Sequence, residues 1–144
     1  MMGGGQQQLQ QMAQELEEID AEIQAKEDEI AEFREEKTGV DDAIEAINTL
    51  ESGSTVQVPL GGGAYVRAEV DDIDEIIVGL GGGYAAEQDR ENAEDALESK
   101  KEALDERISE VQGEINELEE ESAEIEQRAQ QMQQQMKQQQ MQQM

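Results

Sequence analysis

The chain contains no cysteine, no histidine and no tryptophan, one proline, and only three aromatic residues in 144: Phe33, Tyr65 and Tyr84. Without cysteine there is no disulfide framework and no thiolate chemistry. Without histidine the usual zinc and haem ligand sets and the commonest general base are missing too. Three aromatics and 35% apolar residues are too little for a globular core, so burial has to be linear, along helix seams. No apolar run approaches the roughly 20 residues of a membrane span. The opening Met1-Met2-Gly3-Gly4-Gly5-Gln6 lacks both the basic and the apolar stretch of a secretion signal. A cytoplasmic protein without a membrane partner is expected.

Positive charge is also scarce. Ten Lys and Arg stand against 37 Asp and Glu, for a net charge of −27. Nucleic acid is bound by a basic stripe that displaces counterions, and none of the ten cations forms one, which excludes nucleic-acid binding. The same excess of acid resembles proteins adapted to concentrated salt, where screening shortens the repulsion between like charges. On that reading assembly loosens at low ionic strength; ordinary solvated helix faces are the alternative.

What the chain does have is period. From Leu9 apolar residues step by seven through Leu16, Ile23, Ile30 and Ile44, and a second series runs through Met12, Ile19, Phe33, Val40 and Ile47. This is an a/d heptad held for about six repeats, with Lys26 and Lys37 as polar seam residues. A matching ladder begins near Ala86 and runs through Leu97, Leu104, Val111, Leu118, Ile125 and Met132, with Ile108, Ile115, Ala129 and Met136 beside it and Lys101 and Ser122 as interruptions. Such lysines either fix register or snorkel past the seam to nearby carboxylates. Gly39 and Gly113 fall off the seams. Helices of roughly 65 to 75 Å follow from the rise per residue and pair antiparallel.

Between the ladders the period changes to two. Val56, Val58 and Leu60 alternate with polar residues or proline, as do Val66, Ala68 and Val70 in the next segment. Ile76, Val78 and Leu80 repeat the pattern. Leu60-Gly61-Gly62-Gly63-Ala64-Tyr65 and Leu80-Gly81-Gly82-Gly83-Tyr84 form a small internal repeat, read as the turns of two β-hairpins joined by Asp71-Asp72-Ile73-Asp74. The expected fold is α+β: a long antiparallel coiled-coil hairpin of helices (residues 1–52 and 87–144) with two central β-hairpins (53–86), one domain in all. Two hairpins cannot cover an apolar face or their own edges. Val56, Val58, Leu60, Val66, Val70, Ile76, Val78 and Leu80 are therefore the expected subunit interface, closing a barrel or sandwich shared between chains.

Candidate chemistry is thin. Gly81-Gly82-Gly83-Tyr84-Ala85-Ala86 satisfies the Gly-x-Gly-x-x-Ala form of the dinucleotide fingerprint, follows a strand and is expected to open a helix. However, Lys101 stands near where an acid is needed, and no second parallel strand follows. Asp71, Asp72, Asp74 and Glu75 lack the glycine and the terminal glutamate of a calcium loop. The other acidic runs read as outer helix faces. No enzyme, cofactor or metal is expected.

The two ends stand apart from the rest. All seven methionines lie in residues 1–12 or 132–144, amid glutamine. Residues 1–14 carry no charge and 129–144 only Lys137, so the stretch from Glu15 to Arg128 is net −28. Leu9, Met12, Met132, Met136, Met141 and Met144 form the candidate binding tip, since flexible thioethers repack around varied apolar partners; a frayed glutamine-rich end with no role is the alternative.

The order of helix, two glycine-turned hairpins and returning helix, with Val58-Pro59-Leu60-Gly61-Gly62-Gly63-Ala64-Tyr65-Val66 and Ile77-Val78-Gly79-Leu80-Gly81-Gly82-Gly83-Tyr84, resembles the alpha subunits of archaeal prefoldins, and does so over essentially the whole chain. The two-hairpin linker is the specific part; beta-type subunits have one hairpin there. The resemblance implies a chaperone hexamer of two alpha-type and four beta-type subunits. Its hairpins would form β-barrel platforms, and its arms would hold unfolded polypeptides without ATP and pass them to a group II chaperonin. A structural coiled-coil scaffold without client binding is the alternative.

Overall fold

In a computed structural model, which describes residues 3–142, the chain runs α1 (Gly3–Thr49), β1 (Thr55–Gly61), β2 (Ala64–Glu69), β3 (Ile76–Gly81), β4 (Tyr84–Gln88) and α2 (Arg90–Gln142). Two long helices flank two antiparallel two-stranded sheets, β1-β2 and β3-β4, the α+β arrangement that the change of period predicts. The chain divides into two compact units, Met1–Phe33 with Arg107–Met144, and Arg34–Glu106.

In the first unit the early part of α1 and the late part of α2 run antiparallel, with Gly5 beside Met136, Lys26 paired to Glu114 and Glu29 near Arg107. The heptad positions are the ones that bury. Ile30, Val111 and Ile115 form the centre of the seam, with Ile23, Phe33 and Ile108 packed around them, and Ile19 and Ile125 are buried further along. Lys26 occupies a seam position half-buried, and its ammonium reaches Glu114 at 2.7 Å. The hydrogen bond from Lys26 holds the Glu114 carboxyl below its ordinary pKa, and the same bond raises that of Lys26 against a smaller opposing effect of desolvation. Arg107 bonds Glu110 on its own helix at 2.9 Å and lies 3.7 Å from Glu29 across the seam.

In the second unit the end of α1 packs antiparallel on the start of α2, burying Val40, Ile47, Ala93, Leu97 and Leu104. Lys37 reaches Asp105 at 2.6 Å and Lys101 reaches Asp41 at 2.7 Å. All three seam lysines therefore snorkel to a carboxylate of the opposite helix. Such solvent-screened pairs contribute little, so the apolar seam supplies the stability and the lysines keep the seam from burying a charge. Gly39 and Gly113 have open space around them, and both helices continue through them.

Helix α1 stops at Thr49, three residues before the expected end at residue 52. The chain then turns through Gly53 at φ +87, whose N–H donates to the Val70 carbonyl at 2.7 Å, while Val70 donates to Ser54 at 2.8 Å. Helix α2 opens at Arg90, four residues after Ala86, because Ala86 pairs with Val78 in the sheet. Asp89 caps it: its side chain accepts from the Asn92 N–H at 2.8 Å and its carbonyl from Ala93 at 2.8 Å. The Arg90 guanidinium donates to the Leu50 carbonyl, tying the end of α1 to the start of α2.

The two hairpins share one construction. Gly62 and Gly63 are both left-handed (φ +61 and +82), as are Gly82 and Gly83 (+61 and +81), the two-residue turn whose twist suits antiparallel strands. Pro59 pairs with Tyr65 and Gly61 with Ala64, which leaves Leu60 as an extra, bulged residue; Leu80 is bulged in the same way between Gly79–Ala85 and Gly81–Tyr84. The second glycine triplet is thus followed by strand β4 and not by the helix that a dinucleotide fingerprint needs. In the acidic turn the Asp72 carboxylate accepts from the Asp74 N–H at 2.9 Å, so it serves its own backbone.

Candidate interaction surfaces

Among the described residues, the large hydrophobic side chains left exposed cluster in the hairpins: Val58, Leu60, Tyr65, Val66, Ile77, Leu80 and Tyr84, joined only by Met141 of α2. Cross-strand partners share a face. In β1-β2 the pairs Val56–Ala68 and Val58–Val66 make an apolar face, and Thr55–Glu69 and Gln57–Arg67 a polar one. Val58 and Val66 are 40% and 46% exposed, so this apolar face is open. In β3-β4 the pairs Ile76–Gln88 and Val78–Ala86 share one face and Ile77–Glu87 the other. Val78 is 6% exposed, with Ile76, Ala86 and Gln88 half-buried, so this face is covered by its own chain.

The eight residues expected at a subunit interface therefore divide. Val58, Leu60, Val66 and Leu80 are open to solvent, and Val56, Val70 and Ile76 are half-buried. Val78 lies buried within its own chain, because the alternation that puts it opposite Ala86 turns it inward. Its neighbour Ile77, 74% exposed, is the residue presented outward, together with Tyr65 and Tyr84. The signal for Ile77 was in the sequence, since Ile76-Ile77-Val78 is a continuous apolar run of the kind a strand shows when both faces are to be covered.

At the other candidate surface, Leu9, Met12, Met132 and Met136 are half-buried along the paired helix ends and Met141 is 79% exposed; Met144 lies outside the described residues. The Met136 sulfur sits 3.2 Å from where a side chain on Gly5 would begin, which brings the start of α1 and the end of α2 together. On α1, Gly4, Gln7, Gln8, Gln10, Gln11 and Gln14 line a shallow uncharged groove. The helix pair thus ends in thioethers and amides, and the only charge in its last turns is Lys137.

A model of the prefoldin subunit family matches residues 19–135. The chain belongs to the prefoldin family. It is 71% identical over 97 residues to prefoldin subunit alpha of Halorubrum lacusprofundi, a match covering 67% of this chain and 64% of that protein. To the alpha subunit of Haloarcula marismortui it is 58% identical over 90 residues, covering 62% and 58%. The chain thus spans less than two thirds of the length of these relatives. Among solved structures, filamentous PFD from Methanocaldococcus jannaschii, determined by cryo-EM, aligns with a TM-score of 0.54 at 25% identity, over 83% of this chain and 95% of that one. The relatives are alpha subunits, mostly from haloarchaea, so this prefoldin chain is of the archaeal, salt-adapted alpha type. The two bulged hairpins between long helices are its prefoldin fold.

Proposed function

We propose that the chain is a subunit of an ATP-independent holdase in the cytoplasm, assembling through its hairpins with beta-type subunits, two alpha to four beta. On this reading it holds unfolded polypeptides at the ends of its helix pair and delivers them to a group II chaperonin. The observation that carries the client-binding part is a contrast along the chain: the stretch from Glu15 to Arg128, net −28, gives way to ends that hold every methionine and, apart from Lys137, no charged side chain. Each contact of a client with such an end is weak, and several arms engaging one client raise the effective concentration of the next contact, so avidity makes the grip. The open apolar face of β1-β2, with Ile77, Leu80 and Tyr84 on the second hairpin, supports assembly, because a face of that kind is stable in water only when covered. Nothing in this mechanism calls for a catalytic group or a cofactor.

Light scattering of a denatured model protein diluted into the assembled complex tests the reading. Removing residues 1–14 and 129–144 is expected to abolish suppression of aggregation while leaving the native mass of the complex, corrected for the deletion, unchanged. Full suppression by the truncated complex would refute the assignment of the ends.

The second reading is a structural scaffold, favoured by the filamentous state of the M. jannaschii structure. Native mass across a dilution series separates the two: a fixed hexamer mass supports the holdase assembly, and open-ended growth with concentration supports the scaffold.

A further inference from the structure

The chain's sulfur is confined to its ends. With no cysteine, and no methionine from residue 13 to residue 131, every oxidisable sulfur lies in residues 1–12 or 132–144, while the seam between is sulfur-free, built mainly from Ile, Leu and Val, which peroxide does not attack. The methionines are also graded in access. Met141 is 79% exposed, and Met132 and Met136 are half-buried. The Met136 Sδ, Cε and Cγ atoms lie 3.2, 3.6 and 3.7 Å from the position a Cβ on Gly5 would occupy, so the thioether packs against α1 where the missing side chain of Gly5 leaves room.

We propose that Met136 is a peroxide-sensitive latch whose conversion to the sulfoxide parts α1 from α2 at this end. In the step, a lone pair of Sδ attacks one oxygen of a hydroperoxide. The S–O bond forms as the O–O bond breaks, and the departing oxygen leaves as water or an alcohol after taking up a proton. Sulfur loses two electrons and the peroxide gains them. The product is polar and strongly hydrogen-bond accepting. The side of the thioether that faces Gly5 has little room for the added oxygen, and turning that oxygen to water moves the half-buried side chain off the seam. Beyond Ile19 and Ile125 the described ends are held only by half-buried apolar contacts such as Leu9, Met12 and Met132. Gly4 and Gly5 favour helix poorly, and among the described residues the ion pairs between the helices begin only at Lys26–Glu114. The consequence for clients rests on the grip proposed above, whereas the latch rests on packing alone, and its test reads packing.

The full chain in concentrated salt is treated with hydrogen peroxide. Peptide mass mapping follows each methionine, and hydrogen exchange is read over residues 4–16 and 125–142. Met141 is expected to oxidise first with exchange unchanged. Met136 follows more slowly, and exchange in both segments then rises about tenfold, the effect of leaving one polar group unmatched in a packed contact. Met136→Leu keeps the seam apolar and is expected to hold exchange at the untreated level under the same dose. Unchanged exchange at complete Met136 oxidation overturns the latch. So does a rise that follows the kinetics of Met141 in the wild-type chain, a comparison that stands whether or not the variant folds.

Discussion

Replacing Ile77 with alanine separates surface that serves assembly from surface that serves the fold. The substitution removes three carbons beyond Cβ, each worth about 0.8 kcal/mol when buried. Because the side chain is 74% exposed in the single chain, roughly three quarters of that value is still to be gained when a partner covers it, or about 1.8 kcal/mol. Association with a beta-type subunit is therefore expected to weaken by about twentyfold for each copy of the site. The chain's own thermal unfolding should stay within about 0.5 kcal/mol of wild type, as for other exposed positions. Val78→Ala is the counterpart. At 6% exposure it removes two carbons from inside the chain and costs about 1.5 kcal/mol or more of folding stability. Sedimentation of a dilution series, with circular dichroism melts of each variant alone, reads both quantities. If Ile77→Ala lowered the melt as Val78→Ala does and left association unchanged, the outward placement of Ile77 would be refuted.

Asp89→Ala removes the acceptor of the Asn92 N–H at the start of α2 and is expected to cost about 1 kcal/mol; Asp89→Asn keeps the acceptor and should restore most of it in the same melts. The Lys26–Glu114 pair has a pH signature. Glu114 is held below its ordinary value of 4.5, chiefly by the hydrogen bond from Lys26, so it adds stability above that value and loses it as pH falls through the lowered pKa. Lys26 is raised above 10.5 by the same bond, so its contribution is present below that value and is lost as pH rises through the raised pKa. The difference in melting temperature between wild type and Lys26→Met should therefore hold through the intervening range and change as the solution becomes acid. A difference that stays constant into strong acid would show that the pair contributes nothing.

Much of this architecture was legible because the chain signals it with period and with glycine. Heptads such as Ile23, Ile30 and Phe33 announced the seam, and the two triplets announced the turns, since few residues other than glycine tolerate consecutive left-handed positions. The seam lysines were legible as a choice between two roles, which the pairing to Glu114, Asp105 and Asp41 decides. The borders were less visible. Ala86 suits a helix by propensity, and its place in β4 comes from the partner Val78, a tertiary fact that local sequence does not carry. The interface residues were chosen by alternation alone. That rule assigns residues to faces and does not say which face the same chain covers, so it did not foresee that Val78 is buried within the single chain, and it passed over the exposed Ile77. The bulges at Leu60 and Leu80 were hidden because an extra residue in a hairpin leaves no mark in composition.

The uncharged ends of the helix pair have a consequence for selectivity. A stem of net −28 distinguishes one approaching polypeptide from another by sign, repelling acidic chains and drawing in basic ones, with a reach that shrinks as salt is added. Thioether and amide groups make no such distinction. On the proposed function, an encounter at the ends would depend on how much apolar chain the newcomer leaves in water, and acidic and basic polypeptides would fare alike there, in dilute buffer and in brine.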